Sequence, residues 1–460
     1  MNIVVIGGGI TGLMAAVGAK QANPRAQITV LERAPQMGGL LTGVEYPDQG
    51  LYFDLGTHIF QETGDAAYDS VLLEAVPTQD LLYFSAGLGD ISGSVFCGRL
   101  QENIHFPDIR HHPDAASLIG GVREHIRGLC HLSELDRSAS LLETAAAKFG
   151  WTFAEKVLGP ALEHVYNTPA DKLSGFAMQL PGLTRVVVDN HEDWLRAVSN
   201  GLYCAVAAVP DQRRLPAAMR HSRRSFYSRR LGSRAFVDGI IRRLSTLGVC
   251  LVTDVQVEHL DLQGTLIEYK AAGQAQALRY DGLVLATGAI GAANLLKLDL
   301  SDFLFDRPMP HWLIHLRLAE SCPSDLCYLY GLDSACEWYR VTNYRAFSGD
   351  DLDRRLTIEI LGREGIDSKA WPQKVAEQLA ALGFLRSSAI DFSDVMRLPA
   401  GFPSPTQNNI VSLIKLGAMA AEVLPINAIL CGIGANGGMF FQNEVALQAY
   451  WRTHRLVSVL

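Results

Sequence analysis

Four consecutive apolar residues, Ile3-Val4-Val5-Ile6, run into Gly7-Gly8-Gly9. A short run that is apolar without alternation suits a parallel strand covered on both faces, and the glycines end it in a turn. The period then changes. Residues 12–20 are rich in Ala, Leu and Met, Asn23-Pro24 stops them, and residues 28–31 form a second apolar run. Together these predict a strand–helix–strand unit. Strand patterns return at 249–257, 265–269 and 283–286, the last closed by Thr287-Gly288-Ala289. From about 66 to 210 the chain reads mainly as helix, as at 138–149 and 152–165, with Pro107, Pro113, Pro169 and Pro181 marking loops. Beyond Leu300, strands are expected at 311–318 and 355–361 and helices at 371–382 and 443–453.

At 460 residues the chain exceeds one ordinary core, so two interleaved domains are expected. With 48% hydrophobic and 19% charged residues it has the make-up of a well-packed globular protein. A formal net charge of −8 argues against nucleic-acid partners, which are held by a surplus of Lys and Arg. The eight cysteines include no CxxC pair, so neither a metal site nor a redox dithiol is indicated, and reduced, mostly buried thiols are expected. The chain opens without a basic leader, and no apolar run reaches the ~18 residues of a membrane span. A cytoplasmic protein is the expectation.

The turn after the first strand reads Gly7-x-Gly9-x-x-Gly12, with Ile10 and Thr11 at the start of the helix. In a dinucleotide site these glycines serve a tight turn, close approach of backbone to a pyrophosphate, and close helix–strand packing. The helix N-terminus then faces the phosphates with free N–H groups. Twenty residues after Gly12, Glu32 ends the second strand, where a carboxylate can take the adenosine ribose hydroxyls.

The continuation separates flavin from nicotinamide. Glu32-Arg33-Ala34-Pro35-Gln36-Met37-Gly38-Gly39-Leu40 resembles the extended fingerprint of the flavin amine oxidase superfamily, which includes protoporphyrinogen oxidase, phytoene desaturase and UDP-galactopyranose mutase. Phe53-Asp54-Leu55-Gly56-Thr57-His58-Ile59-Phe60 is similar to the segment that passes the flavin ring in that superfamily, and to the mutase's own glycine-x-His-Ile-Phe. Val257 resembles the valine whose backbone meets adenine, and Ala286-Thr287-Gly288 the strand end beside the cofactor. Gly432, Gly434, Asn436, Gly438 and Met439 stand where members close the flavin site, although the usual Gly-Asp pair is absent. The resemblance implies bound FAD and an α/β fold. A Rossmann-type FAD-binding domain would take 1–65, 230–300 and 405–460, and an interleaved α+β substrate or cap domain 66–229 and 301–404.

It also implies hydride transfer from a small organic substrate to flavin N5, chemistry that asks little of acid–base side chains. His58 is a candidate to hydrogen-bond the flavin or move a proton. Arg340 and Tyr344 lie where the mutase branch keeps an arginine for substrate phosphate. The polyamine-oxidase type of lysine has no counterpart between Asp299 and Glu364. Eight arginines crowd 213–234 around Phe226 and Tyr227, a run that suits an anionic substrate or a solvated, partner-facing surface. Two other readings stay open. One is a redox-neutral NDP-sugar mutase, against which Ile433 stands where a second phosphate-binding arginine is expected. The other is a cofactor-free binding protein, like the Rab GDP dissociation inhibitors that share this fold, against which the glycine loop is intact.

Overall fold

The computed structural model describes all residues except Thr57, 85–90, 132–135, Arg137, His221, Ala400 and 436–440. The chain divides into two compact units, Met1–Leu82 with Ser225–Leu304 and Ser412–Leu460, and Tyr83–Arg224 with Phe305–Val411.

The first unit is built on β1 (Asn2–Ile6), α1 (Ile10–Ala22) and β2 (Gln27–Leu31). Its five-stranded sheet runs Cys250–Val252, β2, β1, Gly282–Leu285, Ala428–Leu430, and every pairing is parallel. Val4, Val5, Val30, Leu283 and Val284 are buried, as unalternating apolar strands require. The helix α1 is buried nearly all round, because it packs both on the sheet and on the C-terminal helix Gln442–Val459. The close fit depends on Gly18, where a β-carbon would overlap the carbonyl oxygen of Tyr450. At its far end the buried Lys20 ammonium donates to the carbonyls of Pro24 and Ala26, at 3.3 and 2.8 Å, and fixes the turn into β2.

Two features depart from the expected pattern. The strand foreseen at 249–257 is two strands, since Asp254 at φ 54° turns the chain out of the parallel sheet. The second, Val255–Asp261, starts an antiparallel sheet with Leu266–Ala271 and Gln274–Arg279. Gln274–Arg279 is exposed along most of its length and carries no apolar alternation to announce it. The other departure is that residues 66–82 fall with the first unit. There α2 (Ala66–Ala75) meets the helix Gly232–Thr246 at Gly239, where any β-carbon would overlap the Ala75 carbonyl, and Arg242 donates to that carbonyl at 3.3 Å.

The second unit carries a seven-stranded sheet in the order Ile390–Arg397, His311–Leu318, Arg355–Leu361, Arg340–Asn343, Tyr328–Gly331, Ser92–Phe96, Arg99–Gln101. All neighbours are antiparallel except Tyr328–Gly331 with Ser92–Phe96. Side chains alternate across such a sheet. One face presents Val95, Leu329, Val341, Ile358 and Ile314, packed with Val375 and Leu379 of the helix Trp371–Ala381. The opposite face aligns Ser94, Tyr330, Arg340 and Glu359, and beside them Ser92, Tyr328, Thr342, Thr357 and His315. Most of these polar groups are buried, which is unusual and calls for hydrogen-bond partners.

In the helical part of this unit, Leu141–Phe149 starts on a capping box between Ser140 and Glu143. Half of the cysteines, not most, are buried: Cys322, Cys327, Cys336 and Cys431, whereas Cys130 and Cys250 are exposed. Among the described residues no helix is long and apolar enough to cross a membrane.

Two alanine substitutions should move stability in opposite directions. Gly18→Ala should force the C-terminal helix away from α1 and cost roughly 1–3 kcal/mol, as overpacking does. Gly120→Ala, in the helix Ala115–Gly128 with nothing near its β-carbon, should stabilise by up to about 1 kcal/mol. Thermal or denaturant unfolding of each variant checks both signs.

Candidate functional site

At the end of β1 the chain must turn from strand to helix within a few residues. Gly7 does this at φ 108°, where side chains are disfavoured, and its N–H donates to Leu31 at 2.8 Å. Gly12 is equally constrained, because its β-carbon would coincide with the Gly7 carbonyl oxygen. Gly9 is different: a β-carbon there meets nothing within 4 Å. The loop is therefore rigid at Gly7 and Gly12 and open at Gly9.

Gly9 also caps α1 without any side chain, and the first bond of the helix is Leu13 N–H to the Gly9 carbonyl at 3.0 Å. The N–H groups of Ile10, Thr11 and Gly12 thus lie before the first helical acceptor, at the positive end of the helix dipole, with no acidic side chain in the first turn. Open space, free donors and a positive end are what a phosphate group requires.

Glu32 stands beside this loop. Its two carboxylate oxygens accept the N–H groups of Gly8 at 2.6 Å and of Ala34 at 2.7 Å. A carboxylate has about four acceptor sites, so capacity for ribose hydroxyls remains. The second glycine pair is laid against the first: Gly38 N–H donates to the Gly8 carbonyl at 2.8 Å, and a β-carbon on Gly39 would sit 3.5 Å from the Gly9 Cα. Both have positive φ, 116° and 59°. The neighbouring Arg33 and Leu40 are exposed.

Ala286 N–H donates to Ile6 at 2.8 Å, which brings Ala286-Thr287-Gly288 alongside Gly7. Gly288 donates to the Cys431 carbonyl at 3.2 Å, and a β-carbon on Gly432 would lie 2.8 Å from Gly288 N, so the 431–434 turn abuts the same loop. Gly434 has φ 83° and backs onto Ala289. Val257 lies in the strand Val255–Asp261 and packs, half-buried, on the cluster that includes Val4 and Leu31. Thr57, Asn436, Gly438 and Met439 lie outside the described residues.

Gly56, at φ 91°, and His58 follow a buried anchor that the sequence reading passed over. The Asp54 carboxylate is 2% exposed and accepts the Tyr52 hydroxyl at 2.8 Å, the Ser233 hydroxyl at 2.7 Å and the Ser233 N–H at 3.1 Å, together with the Tyr227 hydroxyl. It caps the helix Gly232–Thr246, whose own cap residue Leu231 provides no side-chain bond. The only sequence signal was a lone acid in the otherwise apolar run Leu51-Tyr52-Phe53-Asp54-Leu55. His58 is half-buried, with Nε2 3.2 Å from the Leu55 carbonyl among its contacts.

Arg340 and Tyr344 belong to the second unit, and both are engaged. The Arg340 guanidinium grips Glu359 by two bonds, of 2.7 and 3.0 Å, and Tyr339 lies beneath it at 5.2 Å. His311 Nε2 is 3.3 Å from the same carboxylate. Burial alone would push the Glu359 carboxyl up, but the Arg340 charge, with His311 close by and the two bonds from Arg340, holds it well below the usual range. The Tyr344 hydroxyl lies 3.1 Å from Thr357 Oγ1, and the Arg355 guanidinium covers its ring at 4.6 Å. The paired Phe226 and Tyr227 of the arginine run are buried, whereas most of its arginines are exposed.

The differing geometry of the glycines separates folding from ligand binding. Gly9→Val should leave the melting temperature of the ligand-free protein unchanged while abolishing its rise with added dinucleotide. Wild type should gain about 2.7 kcal/mol at ligand 100-fold above Kd. Gly12→Ala should lower the melting temperature with or without ligand. Melts with and without FAD, together with bound-cofactor content, distinguish the two.

Residues 5–72 match the model of an NAD(P)-binding Rossmann-like domain. No curated protein matches the chain by sequence. Among solved structures, reduced UDP-galactopyranose mutase superposes with TM-score 0.73 at 15% identity, over 100% of this chain and 94% of the other. A putative protoporphyrinogen oxidase from Exiguobacterium sp. 255-15 gives 0.68 at 16% identity, over 100% and 99%. Cyclohexylamine oxidase from Brevibacterium oxydans IH-35A gives 0.60 at 11%, over 100% and 98%. With the glycine loop, Glu32 and the Gly38-Gly39 turn joined as described, the chain carries the fold of the flavin amine oxidase and protoporphyrinogen oxidase superfamily, built on a Rossmann-like dinucleotide domain.

Proposed function

We propose that this chain is an FAD-dependent oxidoreductase that removes a hydride from a C–H bond of a small organic substrate. The observation that carries the reading is the backbone junction between two glycine turns, Gly38 N–H on the Gly8 carbonyl, beside a Glu32 already oriented by backbone donors. A nicotinamide site needs only the first turn. The second lays a further glycine backbone, at positive φ, directly against the first.

The residues present fit FAD. Ile10, Thr11 and Gly12 offer N–H donors to the pyrophosphate, Gly9 leaves room for it, and Glu32 keeps acceptor capacity for ribose. Gly56 and Gly288, both at positive φ, allow backbone to approach a flat ring without a side chain intervening. When bound, FAD would supply an acceptor for one hydride, which carries both electrons of the oxidation. The protein's part is to hold the substrate C–H at the right distance and to keep water away. His58, beside Gly56, is the candidate to orient the cofactor or take up a proton. An outside oxidant must then regenerate the site.

The structural likeness to a mutase favours a second reading, redox-neutral sugar chemistry. It requires cationic clamps for a departing diphosphate. Ile433 replaces one of them, and Arg340 is already neutralised by Glu359. This balance also speaks against an anionic substrate held by Arg340. The cofactor-free alternative is disfavoured by Gly9, a glycine of the loop that no packing contact requires.

The purified protein should be yellow and release FAD, not FMN or NAD, on denaturation. Anaerobic mixing with an oxidisable substrate should bleach the visible flavin band in one turnover, and an added acceptor should restore it. If turnover needs prior reduction with dithionite and leaves the flavin reduced throughout, the mutase reading replaces this one. His58→Ala should retain FAD yet slow flavin reduction by about 10²-fold or more if it handles a proton. An unchanged rate would assign it to packing.

A further inference from the structure

Residues 211–224, in the second unit, hold five arginines in a chain whose formal net charge is −8. Arg213 and Arg214 precede a crest of Pro216, Ala217, Ala218 and Met219, and Arg220, Arg223 and Arg224 follow it. Two tight turns, Gln212–Arg214 and Ala217–Met219, shape the segment, and the Arg220 guanidinium closes it by donating to the Leu215 carbonyl at 2.9 Å. The result is an apolar tip with cations on both sides. Ala217, Ala218 and Met219 are exposed, Met219 by 39%, and so are Arg213, Arg214, Arg223 and Arg224.

Among the described residues, few carboxylates stand beside Arg213, Arg214 and Arg223. Asp211 is half-buried and accepts the Arg213 N–H at 2.9 Å. Asp325 stands 3.9 Å from Arg213 but is bound more closely, at 2.9 Å, by Arg345. Arg224 stacks over Tyr83 at 4.1 Å. A surplus of positive charge therefore collects around the crest of an otherwise acidic protein.

The surroundings of the arginines discriminate among anionic partners. Guanidinium forks match phosphate oxygens wherever they occur. A single-stranded nucleic acid also asks for exposed aromatic rings on which bases stack, and Phe226 and Tyr227, which interleave the run, are buried. What stands exposed between the arginines is apolar and small, the combination that settles at the boundary between headgroups and acyl chains. We propose that this loop docks the protein on an anionic phospholipid surface, with the arginines on headgroup phosphates and the crest of residues 216–219 entering the interface. The proposal does not depend on the flavin reading. Binding is peripheral, reversible and sensitive to salt, because screening weakens the electrostatic attraction.

The test is sedimentation of the full chain with vesicles of phosphatidylcholine alone, or of phosphatidylcholine mixed with phosphatidylglycerol, at low and high salt. Binding should appear on the mixed vesicles at low salt and vanish at high salt. Each arginine near such a surface contributes roughly five-fold in partitioning. The double variant Arg213→Glu with Arg214→Glu should therefore lose at least about 25-fold, and Met219→Asp should weaken binding with every arginine retained. Arg213→Lys with Arg214→Lys should keep most of it, which together with an unchanged melting temperature distinguishes lost charge from lost structure. Absence of binding to mixed vesicles, binding unaltered by the glutamate pair, or tighter binding to a single-stranded RNA oligonucleotide than to the vesicles would each overturn the proposal.

Discussion

A side chain on Gly12 would have to share space with the Gly7 carbonyl oxygen, and this steric limit sets where everything around the first turn can stand. Because helix and strand end are in backbone contact there, α1 begins directly over the carboxyl edge of the parallel sheet. The positive helix end faces outward from that edge, in the crevice where open α/β sheets bind ligands. Gly8 offers its N–H to Glu32 and its carbonyl to Gly38, so one residue of the turn organises both the acid and the second glycine pair. Without that close approach none of the three segments would have a common edge to meet on.

Charge burial obeys a second constraint. A buried carboxylate is tolerated only where donors surround it. In the first unit Asp54 meets this with two tyrosine hydroxyls and the buried start of a helix, so the 51–56 segment is held by polar bonds. In the second unit Glu359 meets it with the Arg340 guanidinium, with His311 beside it, on a sheet face lined by other buried polar side chains. The two carboxylates differ in what they leave over. Asp54 consumes hydroxyl and backbone donors and frees no charge, whereas Glu359 cancels a guanidinium that otherwise would attract anions.

These two constraints bear on function together. Two joined glycine turns and one oriented acid suit the proposed dinucleotide cofactor, and a neutralised arginine removes the strongest reason to expect a phosphate-bearing substrate. Oxidation of an uncharged C–H donor needs orientation more than it needs catalytic acids and bases. The scarcity of acid–base constellations in the sequence accords with that requirement.

How much of this was legible depended on the range of the contacts involved. The β1–α1–β2 unit, Glu32, and the strands His311–Leu318 and Arg355–Leu361 follow from residues adjacent in the chain, where glycine conformation and apolar periodicity act within one turn or strand. The break at Asp254, the joining of α2 to the first unit through Gly239, the capping of a helix by Asp54 from 179 residues away, and the neutralisation of Arg340 by Glu359 did not. Each is decided by which distant segment arrives alongside, and a carboxylate looks the same in sequence whether it will meet a helix end, an arginine or water. The sequence by itself therefore determined the dinucleotide turn and the class of fold, because local sterics leave those glycines little choice. Only the tertiary structure decided which charges remain available to a ligand, because burial and pairing are properties of the packed chain.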